Sequence, residues 1–249
     1  MPRADPPLYA AAPSAALDAV RLGLPLRPSQ WSVWDALWAV LGWFVLSNVV
    51  AFALLVGGVD IYGPAFLLAT VVPWIALAGW PLWITRRRGN GAEIDLGLRL
   101  RWADVGSGVL GGIAALVAGI AASVVTVALF GDFSSSAADE AQQIAQTGGW
   151  YVLLAFAVLV VVGAPLAEEL AFRGLLWSGL AKRGAASWVS IVVTAAAFAV
   201  IHFEPVRMLV LFSIGVVLGI VRWRTRSLGA CIVAHAVNNL PPAIALLTL

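Results

Sequence analysis

The chain has 249 residues, of which 61% are hydrophobic and only 11% are charged. A typical soluble domain has about 25% charged residues, so this composition excludes an ordinary soluble protein and indicates an all-α membrane helical bundle that crosses the bilayer several times. The net charge of +2 is too small to indicate a nucleic-acid partner. The single cysteine, Cys231, excludes an internal disulfide and a multi-cysteine metal site.

The N-terminal segment, residues 1–30, is rich in Pro and Ala. We predict that it forms a flexible cytoplasmic N-terminal tail. It lacks the layout of a cleavable signal peptide, so we expect the first apolar segment to act as an uncleaved anchor. Residues 31–249 are predicted to form a single membrane-embedded helical domain, with a core motif region at 150–247.

Several apolar segments approach or exceed the roughly 20 residues that a helix needs to cross a bilayer. We predict about seven transmembrane helices, of which the fifth and sixth are short and are separated by a turn at Pro205. The predicted helices cover residues 32–57, 62–84, 106–130, 150–180, 187–203, 206–222 and 228–247.

Two connections between these helices have features of their own. Residues 89–105 alternate leucines with other residues, and we expect a surface connector there, either a short strand or an interfacial stretch. Residues 131–149 are polar, and we expect a short helix that begins near Ser135.

The Lys and Arg residues predict how the chain is oriented in the membrane. They follow the second, fourth and sixth predicted helices, at 86–88, 182–183 and 222–226. The opposite loops hold few basic residues, and cytoplasmic loops are usually the ones enriched in Lys and Arg. We therefore expect an integral protein of a prokaryotic plasma membrane with its N-terminus in the cytoplasm and its C-terminus outside.

Three ionisable residues interrupt the apolar helix predicted at 150–180, namely Glu168, Glu169 and Arg173. A charged side chain at this depth costs about 2.5–3.5 kcal/mol or more, so such residues usually have a function. Glu169 and Arg173 are four residues apart and share a helix face, where they can neutralise each other. Glu168 is rotated about 100° away, which predicts a chemical role for Glu168 and a structural role for the pair.

The two histidines of the chain, His202 and His235, lie in two other apolar segments. Phe198 precedes His202 by one helical turn and is expected to support the imidazole by packing. Asn239 follows His235 by one turn and is expected to reach the same pocket, whereas Asn238 is predicted to point elsewhere. Either histidine alone would more often be a packing residue, but a rise of 1.5 Å per residue predicts similar depths for these groups and Glu168.

A carboxylate, two imidazoles and a carboxamide at one depth are consistent with two hydrolytic mechanisms. In one, Glu168 and His202 remove a proton from water, while His235 and Asn239 donate hydrogen bonds to the oxygen that becomes negative. In the other, Glu168, His202 and His235 hold a divalent metal such as zinc, with a fourth position for water. The residues leave both mechanisms open, so a cofactor is either absent or one divalent metal.

The motifs EExxxR at 168–173, FxxxH at 198–202 and HxxxN at 235–239 resemble, in this order, the signature motifs of the CPBP intramembrane proteases. This is the type II CAAX prenyl endopeptidase and bacteriocin-processing, or Abi, family. The resemblance covers about residues 150–247, and the first three helices match only in general character.

This resemblance implies a helical membrane fold with its site in a conical cavity among the last four helices. It implies that Glu168 with His202 activates water and that His235 with Asn239 forms an oxyanion hole. Family members are often described as metalloproteases, although a metal-independent, glutamate-based scheme also belongs to the family. The substrate does not carry over.

The leading hypothesis is an intramembrane endopeptidase that hydrolyses a peptide bond of a membrane-associated or lipidated protein or peptide. Its expected partners are that substrate and the lipid bilayer, and its oligomeric state is left open. One alternative is a non-catalytic immunity or scaffold protein that keeps the motifs for assembly. A proton-coupled transporter is less favoured, because the sequence has no paired half-repeats with interrupted helices.

Overall fold

The computed structural model describes residues 23, 26–60 and 62–248, and these residues form helices and connecting turns without a strand. The predicted tail at 1–30 falls almost entirely outside the described residues. In chain order the helices are α1 (Val33–Val56), α2 (Ala65–Val71), α3 (Trp80–Arg88), α4 (Ala92–Asp95), α5 (Trp102–Phe130), α6 (Ser136–Thr147), α7 (Trp150–Val158), α8 (Ala164–Glu169), α9 (Trp177–Lys182), α10 (Ser187–Val200), α11 (Met208–Thr225) and α12 (Leu228–Leu246).

Wider π-helical turns interrupt two of the long spans. One such turn, Ile75–Gly79, leads into α3. Two others, Leu159–Gly163 and Leu170–Leu176, join α7 to α8 and α8 to α9. A short 3₁₀ turn, Pro205–Arg207, precedes α11 and forms the predicted turn at Pro205. Because a π-helical turn changes the register of the side chains that follow it, the α7–α9 span does not present one straight helical face.

Within the described residues, six helical spans are long and apolar enough to cross a membrane, which confirms the polytopic helical bundle. They are Val33–Val56, Ala65–Arg88, Trp102–Phe130, Trp150–Lys182, Pro205–Thr225 and Leu228–Leu246. The remaining apolar helix, α10, has 14 residues. At 1.5 Å per residue it extends about 21 Å, less than the roughly 30 Å of the hydrocarbon core. All seven predicted segments are therefore helical, but only six have the full length.

The C-terminal helices pack closely because small residues line their contacts. Helix α5 lies against α11 and α12, and α10 lies against α11. A Cβ atom added at Gly112 of α5 would come within 2.5 Å of Val237 of α12, and one added at Gly215 would come within 2.9 Å of the Ala195 backbone. Small residues at such contacts let helix backbones approach closely in membranes. This packing fixes the helices that carry both histidines.

Residues 89–105 do not form a strand, and the surface connector predicted there is partly buried. The segment contains the short helix α4, and α5 begins at Trp102 rather than at 106. Asp95 and Leu96 are 1% and 0% exposed. The buried Arg222 side chain donates a 3.0 Å hydrogen bond to the Leu96 carbonyl. Residues 95–97 are buried where α11 supplies this hydrogen-bond donor, whereas Leu100 and Trp102 are 67% and 91% exposed.

The polar helix predicted near Ser135 is confirmed as α6. The Ser135 hydroxyl accepts a 3.1 Å hydrogen bond from the Ala138 amide and so caps the helix. Ala141 and Ile144 are fully buried in a cluster with Phe156 and Leu246. This apolar face attaches α6 to the ends of the membrane-spanning helices.

Candidate functional site

The four predicted site residues line one cavity of about 610 Å³. Glu168 lies on α8, His202 lies just after the end of α10, and His235 and Asn239 lie on α12. Three separate spans therefore bring a carboxylate, two imidazoles and a carboxamide to one pocket, although these residues are up to 71 positions apart in the chain.

Glu169 and Arg173 form a fully buried ion pair. The Arg173 guanidinium lies 2.9 Å from Glu169 Oε1, and both side chains are 0% exposed. Arg173 also donates a 2.9 Å hydrogen bond to the Gly215 carbonyl on α11. Since a buried charge is tolerated when it is paired and hydrogen-bonded, these contacts offset the cost of burying the pair, and they tie α8 to α11.

Glu169 has a second contact that the sequence did not predict. Its Oε1 atom lies 2.9 Å from His235 Nδ1. A carboxylate can only accept a hydrogen bond, so Nδ1 carries the proton and donates it to Glu169. Glu169 therefore fixes the orientation of the His235 ring, and the role predicted for the Glu169–Arg173 pair extends to holding a site histidine.

Glu168 is turned toward the cavity rather than toward a partner. Its side chain is 14% exposed, and Oε2 lies 3.9 Å from His235 Nε2. That separation is longer than a hydrogen bond. Among the described side chains, Oε2 is one of the buried oxygens that have no hydrogen-bond partner. Glu169 Oε2 also has no hydrogen-bond partner, but Glu169 Oε1 contacts both Arg173 and His235, whereas Glu168 lines the cavity.

His202 has its tautomer fixed by the end of a helix. Its Nδ1 atom lies 2.6 Å from the Phe198 carbonyl oxygen. The His202 amide instead bonds to the Ala199 carbonyl, which leaves the Phe198 carbonyl to the side chain. Because a carbonyl only accepts, Nδ1 is the protonated nitrogen and Nε2 keeps its lone pair. His202 is therefore in the form that can accept a proton at Nε2.

Phe198 lies between the two histidines. Its ring centroid is 4.7 Å from that of His202 and 5.5 Å from that of His235, so the two imidazole centroids are at most about 10 Å apart. The Arg173 guanidinium lies over the same ring at 4.9 Å. Phe198 is 2% exposed, and its packing holds both imidazoles against the cavity wall.

Asn239 is oriented by the Val160 carbonyl, which receives no hydrogen bond from the helix that contains Val160. In the π-helical turn, the Ala164 amide bonds to Leu159, and Pro165 has no amide hydrogen to offer the Val160 carbonyl. Asn239 Nδ2 donates a 2.9 Å hydrogen bond to that carbonyl. This contact fixes which end of the Asn239 carboxamide carries the hydrogens.

The prediction that Asn238 points away from the pocket is wrong. Asn238 lines the same cavity, and its Nδ2 atom donates a 3.0 Å hydrogen bond to Asn239 Oδ1. The cavity wall is wide enough to include two consecutive positions of α12. Asn238 and Val160 together hold both ends of the Asn239 carboxamide, a positioning role that side-chain spacing alone did not indicate.

The zinc site that the sequence left open is not assembled in this arrangement. Within the described part of the chain, no three His, Cys, Asp or Glu side chains converge closely enough to hold a metal ion. His202 Nδ1 donates to a backbone carbonyl and His235 Nδ1 to Glu169, which leaves Nε2 of each ring for other contacts. Glu168, His202 and His235 therefore share the cavity without converging on one point as the three ligands of a zinc ion would.

One comparison with known proteins gave a match that covers the cavity residues. Residues 149–241 match the family model of type II CAAX prenyl endopeptidase Rce1-like proteins. Searches among curated proteins and among solved structures gave no match. The matched segment runs from the start of α7 into α12 and includes all four cavity residues. In this segment and its three ordered motifs, the protein, which has several membrane-spanning helices, is similar to the CAAX-type proteases of the CPBP family.

Proposed function

We propose that the protein is an intramembrane endopeptidase that hydrolyses a peptide bond of a membrane-associated or lipidated protein or peptide. The observation that carries this proposal is the cavity-facing carboxylate of Glu168, which has a buried oxygen without a protein partner and shares its pocket with two histidines and an asparagine. An ionisable group at membrane depth is costly, so a carboxylate kept without an ion-pair partner favours chemistry over structure.

Water activation is assigned to Glu168 and His202. The tautomer of His202 supports this role, because the Phe198 carbonyl holds the proton on Nδ1 and leaves Nε2 as an acceptor. Glu168 offers a second acceptor in the same cavity. A water between them loses a proton as its oxygen attacks the substrate carbonyl. The same pair then returns the proton to the departing amine as the carbon–nitrogen bond breaks.

Stabilisation of the tetrahedral oxyanion is assigned to His235 and Asn239. One hydrogen of Asn239 Nδ2 is used by the Val160 carbonyl, and the other is available to the substrate oxygen. His235 donates from Nδ1 to Glu169, so a hydrogen bond from Nε2 requires the imidazolium form. Preoriented donors of this kind stabilise developing negative charge.

The orientation in the membrane is also part of the proposal. The N-terminus is assigned to the cytoplasm and the C-terminus to the outside of a prokaryotic plasma membrane. The supporting observation is that Arg86, Lys182 and Arg222 all lie at one end of the bundle, and basic residues collect on the cytoplasmic side.

The direct test is hydrolysis of a peptide library by the purified protein in detergent. We expect Glu168→Gln, His202→Ala and His235→Ala each to lower kcat by at least about 100-fold, the usual contribution of a positioned acid or base. Glu93→Gln is the matched control, because Glu93 is an exposed carboxylate outside the cavity. Thermal unfolding of each variant separates a chemical defect from a folding defect. Wild-type rates in all three cavity variants would contradict the proposal.

A second measurement addresses the metal question. Because the described donors do not converge on one point, we expect hydrolysis to persist after treatment with a strong chelator and removal of the metal. Elemental analysis of the active protein before and after treatment is the control. Loss of activity that zinc restores would show that Glu168, His202 and His235 rearrange to bind a metal.

A further inference from the structure

On the basis of the proposed function, we infer that the substrate enters the cavity from the arginine-poor end of the bundle, through the mouth that α6, the turn before α11 and the C-terminal turn of α12 surround. We define this end by residues 57–60, 62–64, 131–149 and 201–207. The arginine-rich end consists of residues 26–32, 86–101, 182–186 and 222–227. The class of substrate is then a peptide presented at the extracytoplasmic face of the membrane.

The charges of the chain distinguish the two ends. Among the described residues, every Lys and Arg other than Arg173 and Arg207 lies at the arginine-rich end. Arg173 is buried in its ion pair with Glu169. Arg207 pairs with Glu204 at the arginine-poor end. A bundle with this distribution is expected to hold its arginine-rich end in the cytoplasm.

The cavity extends toward the arginine-poor end only. Its lining reaches the first turn of α6, the turn before α11 and the C-terminal turn of α12, and none of its lining residues belongs to the arginine-rich end. His202 lies two residues past the end of α10, close to this mouth. Glu168 lies deeper, 14 residues before Lys182, which is about 21 Å from the arginine-rich end at 1.5 Å per residue. A peptide entering at the mouth therefore meets His202 first and Glu168 beyond it.

A polar contact joins two separate elements that form part of the rim of the mouth. Glu204, in the turn before α11, accepts a 3.0 Å hydrogen bond from the Ser136 amide at the start of α6 and a second one from the Ser136 hydroxyl. Arg207 holds Glu204 from the other side. Gly131 and Gly149 flank α6 with φ values of 82° and 78°, a region that other residues seldom adopt. The mouth thus has one side formed by a short helix with glycine at both ends.

The first experiment measures which end faces outward and does not depend on catalysis. Single cysteines are introduced at exposed positions, Gln146→Cys at the arginine-poor end and Glu93→Cys at the arginine-rich end. The native Cys231 is buried and serves as the unlabelled background. In intact bacterial cells, a membrane-impermeant maleimide is expected to label Gln146→Cys but not Glu93→Cys until the cells are permeabilised. The reverse pattern would overturn the inference.

The second experiment blocks the mouth. Ser135 lines the rim of the cavity, so a bulky maleimide on Ser135→Cys is expected to reduce peptide hydrolysis at least tenfold relative to the same variant unmodified. The control is Gln146→Cys, which lies on α6 but not on the cavity and is expected to keep its rate when modified. Unchanged hydrolysis by modified Ser135→Cys would show that the substrate enters elsewhere.

The two experiments separate the two possible failures. If the labelling pattern is reversed while the wild-type protein hydrolyses peptides, only the entry route is wrong. If the labelling is as expected but the wild-type protein hydrolyses no peptide, the proposed function is wrong, and the proposed substrate route is then wrong as well.

Discussion

The arginine-rich end of the bundle and the cavity both bury polar groups, but they use them differently. At the arginine-rich end, Arg222 is 1% exposed and donates hydrogen bonds of 2.9 Å and 3.0 Å to the carbonyls of Arg173 and Leu96. Trp31 donates a 2.8 Å bond to Asp95 in the same region. In the cavity, Glu168 has an oxygen with no such partner. A buried charged group thus stabilises the structure where the protein supplies its hydrogen-bond partners. Where the protein supplies no partner, as at Glu168, the charged group remains available for chemistry.

The largest effect on stability is expected from Arg222→Met. This change leaves two buried carbonyls without their donor, and each hydrogen bond from a charged group contributes about 1.5–3 kcal/mol. We expect the free energy of unfolding in detergent to fall by about 3 kcal/mol or more. Arg224→Met is the control, because Arg224 lies on the same helix end but is exposed and stacks on Trp223. Equal losses in both variants would show that the Arg222 contacts contribute little.

The neighbouring carboxylates allow a direct comparison of the two uses of charge. Glu169→Ala leaves Arg173 buried without its counter-ion, and breaking a buried pair costs about 3–5 kcal/mol. We expect misfolding of Glu169→Ala, measured as aggregation on size-exclusion chromatography. Glu168→Ala is the control and is expected to fold normally and to be inactive. A well-folded but inactive Glu169→Ala protein would mean that Glu169 serves the chemistry more than the structure.

The signals that predicted the fold and the four cavity residues are local in the sequence. Long apolar segments predict the helices, and ionisable residues within them stand out because burying charge is costly. The four-residue spacing of Glu169 and Arg173 also predicted their contact, since such residues share a helix face. These features are properties of one segment at a time, so they can be recognised without knowing how the segments pack.

The features that the sequence did not predict depend on contacts between distant segments. The burial of Leu96 depends on Arg222, 126 positions away. The orientation of Asn239 depends on a carbonyl that Pro165 leaves free in another helix. Glu169 meets His235 across 66 positions. Helical spacing predicted that Asn238 faces away from the pocket, because consecutive helical residues share a pocket only if its wall is wide. The wall of this cavity includes both asparagines.

A smaller effect on activity is expected from Asn238→Ala. Asn238 donates one neutral hydrogen bond to Asn239 Oδ1, and such a bond contributes about 1 kcal/mol. If it positions the Asn239 carboxamide, its loss should lower kcat by about fivefold with little change in KM. Asn48→Ala is the control, because Asn48 bonds only to a carbonyl of its own exposed helix. A loss of stability without a loss of kcat would assign Asn238 to packing.

A pH-dependent change in stability is expected at the rim of the mouth. Glu140 lies on α6, outside the membrane-spanning helices, and lines the cavity. Burial, followed by the negative charges of Glu204 and Asp139, raises the pKa of Glu140 from 4.5 to about 7. The folded protein therefore holds this proton more tightly than the unfolded chain, so stability falls as the pH rises from 4.5 through about 7.

Replacing Glu140 by Gln removes this titration but keeps the shape of the side chain. We expect Glu140→Gln to have the same melting temperature as the wild type at pH 4 and a higher one at pH 8, because only the wild type must ionise a half-buried carboxyl beside Glu204. Gln142→Ala, an exposed change on the same helix, controls for altered helix stability. If the melting temperatures of Glu140→Gln and the wild type differed by the same amount at both pH values, the shape of the side chain, not its charge, would limit stability at the rim.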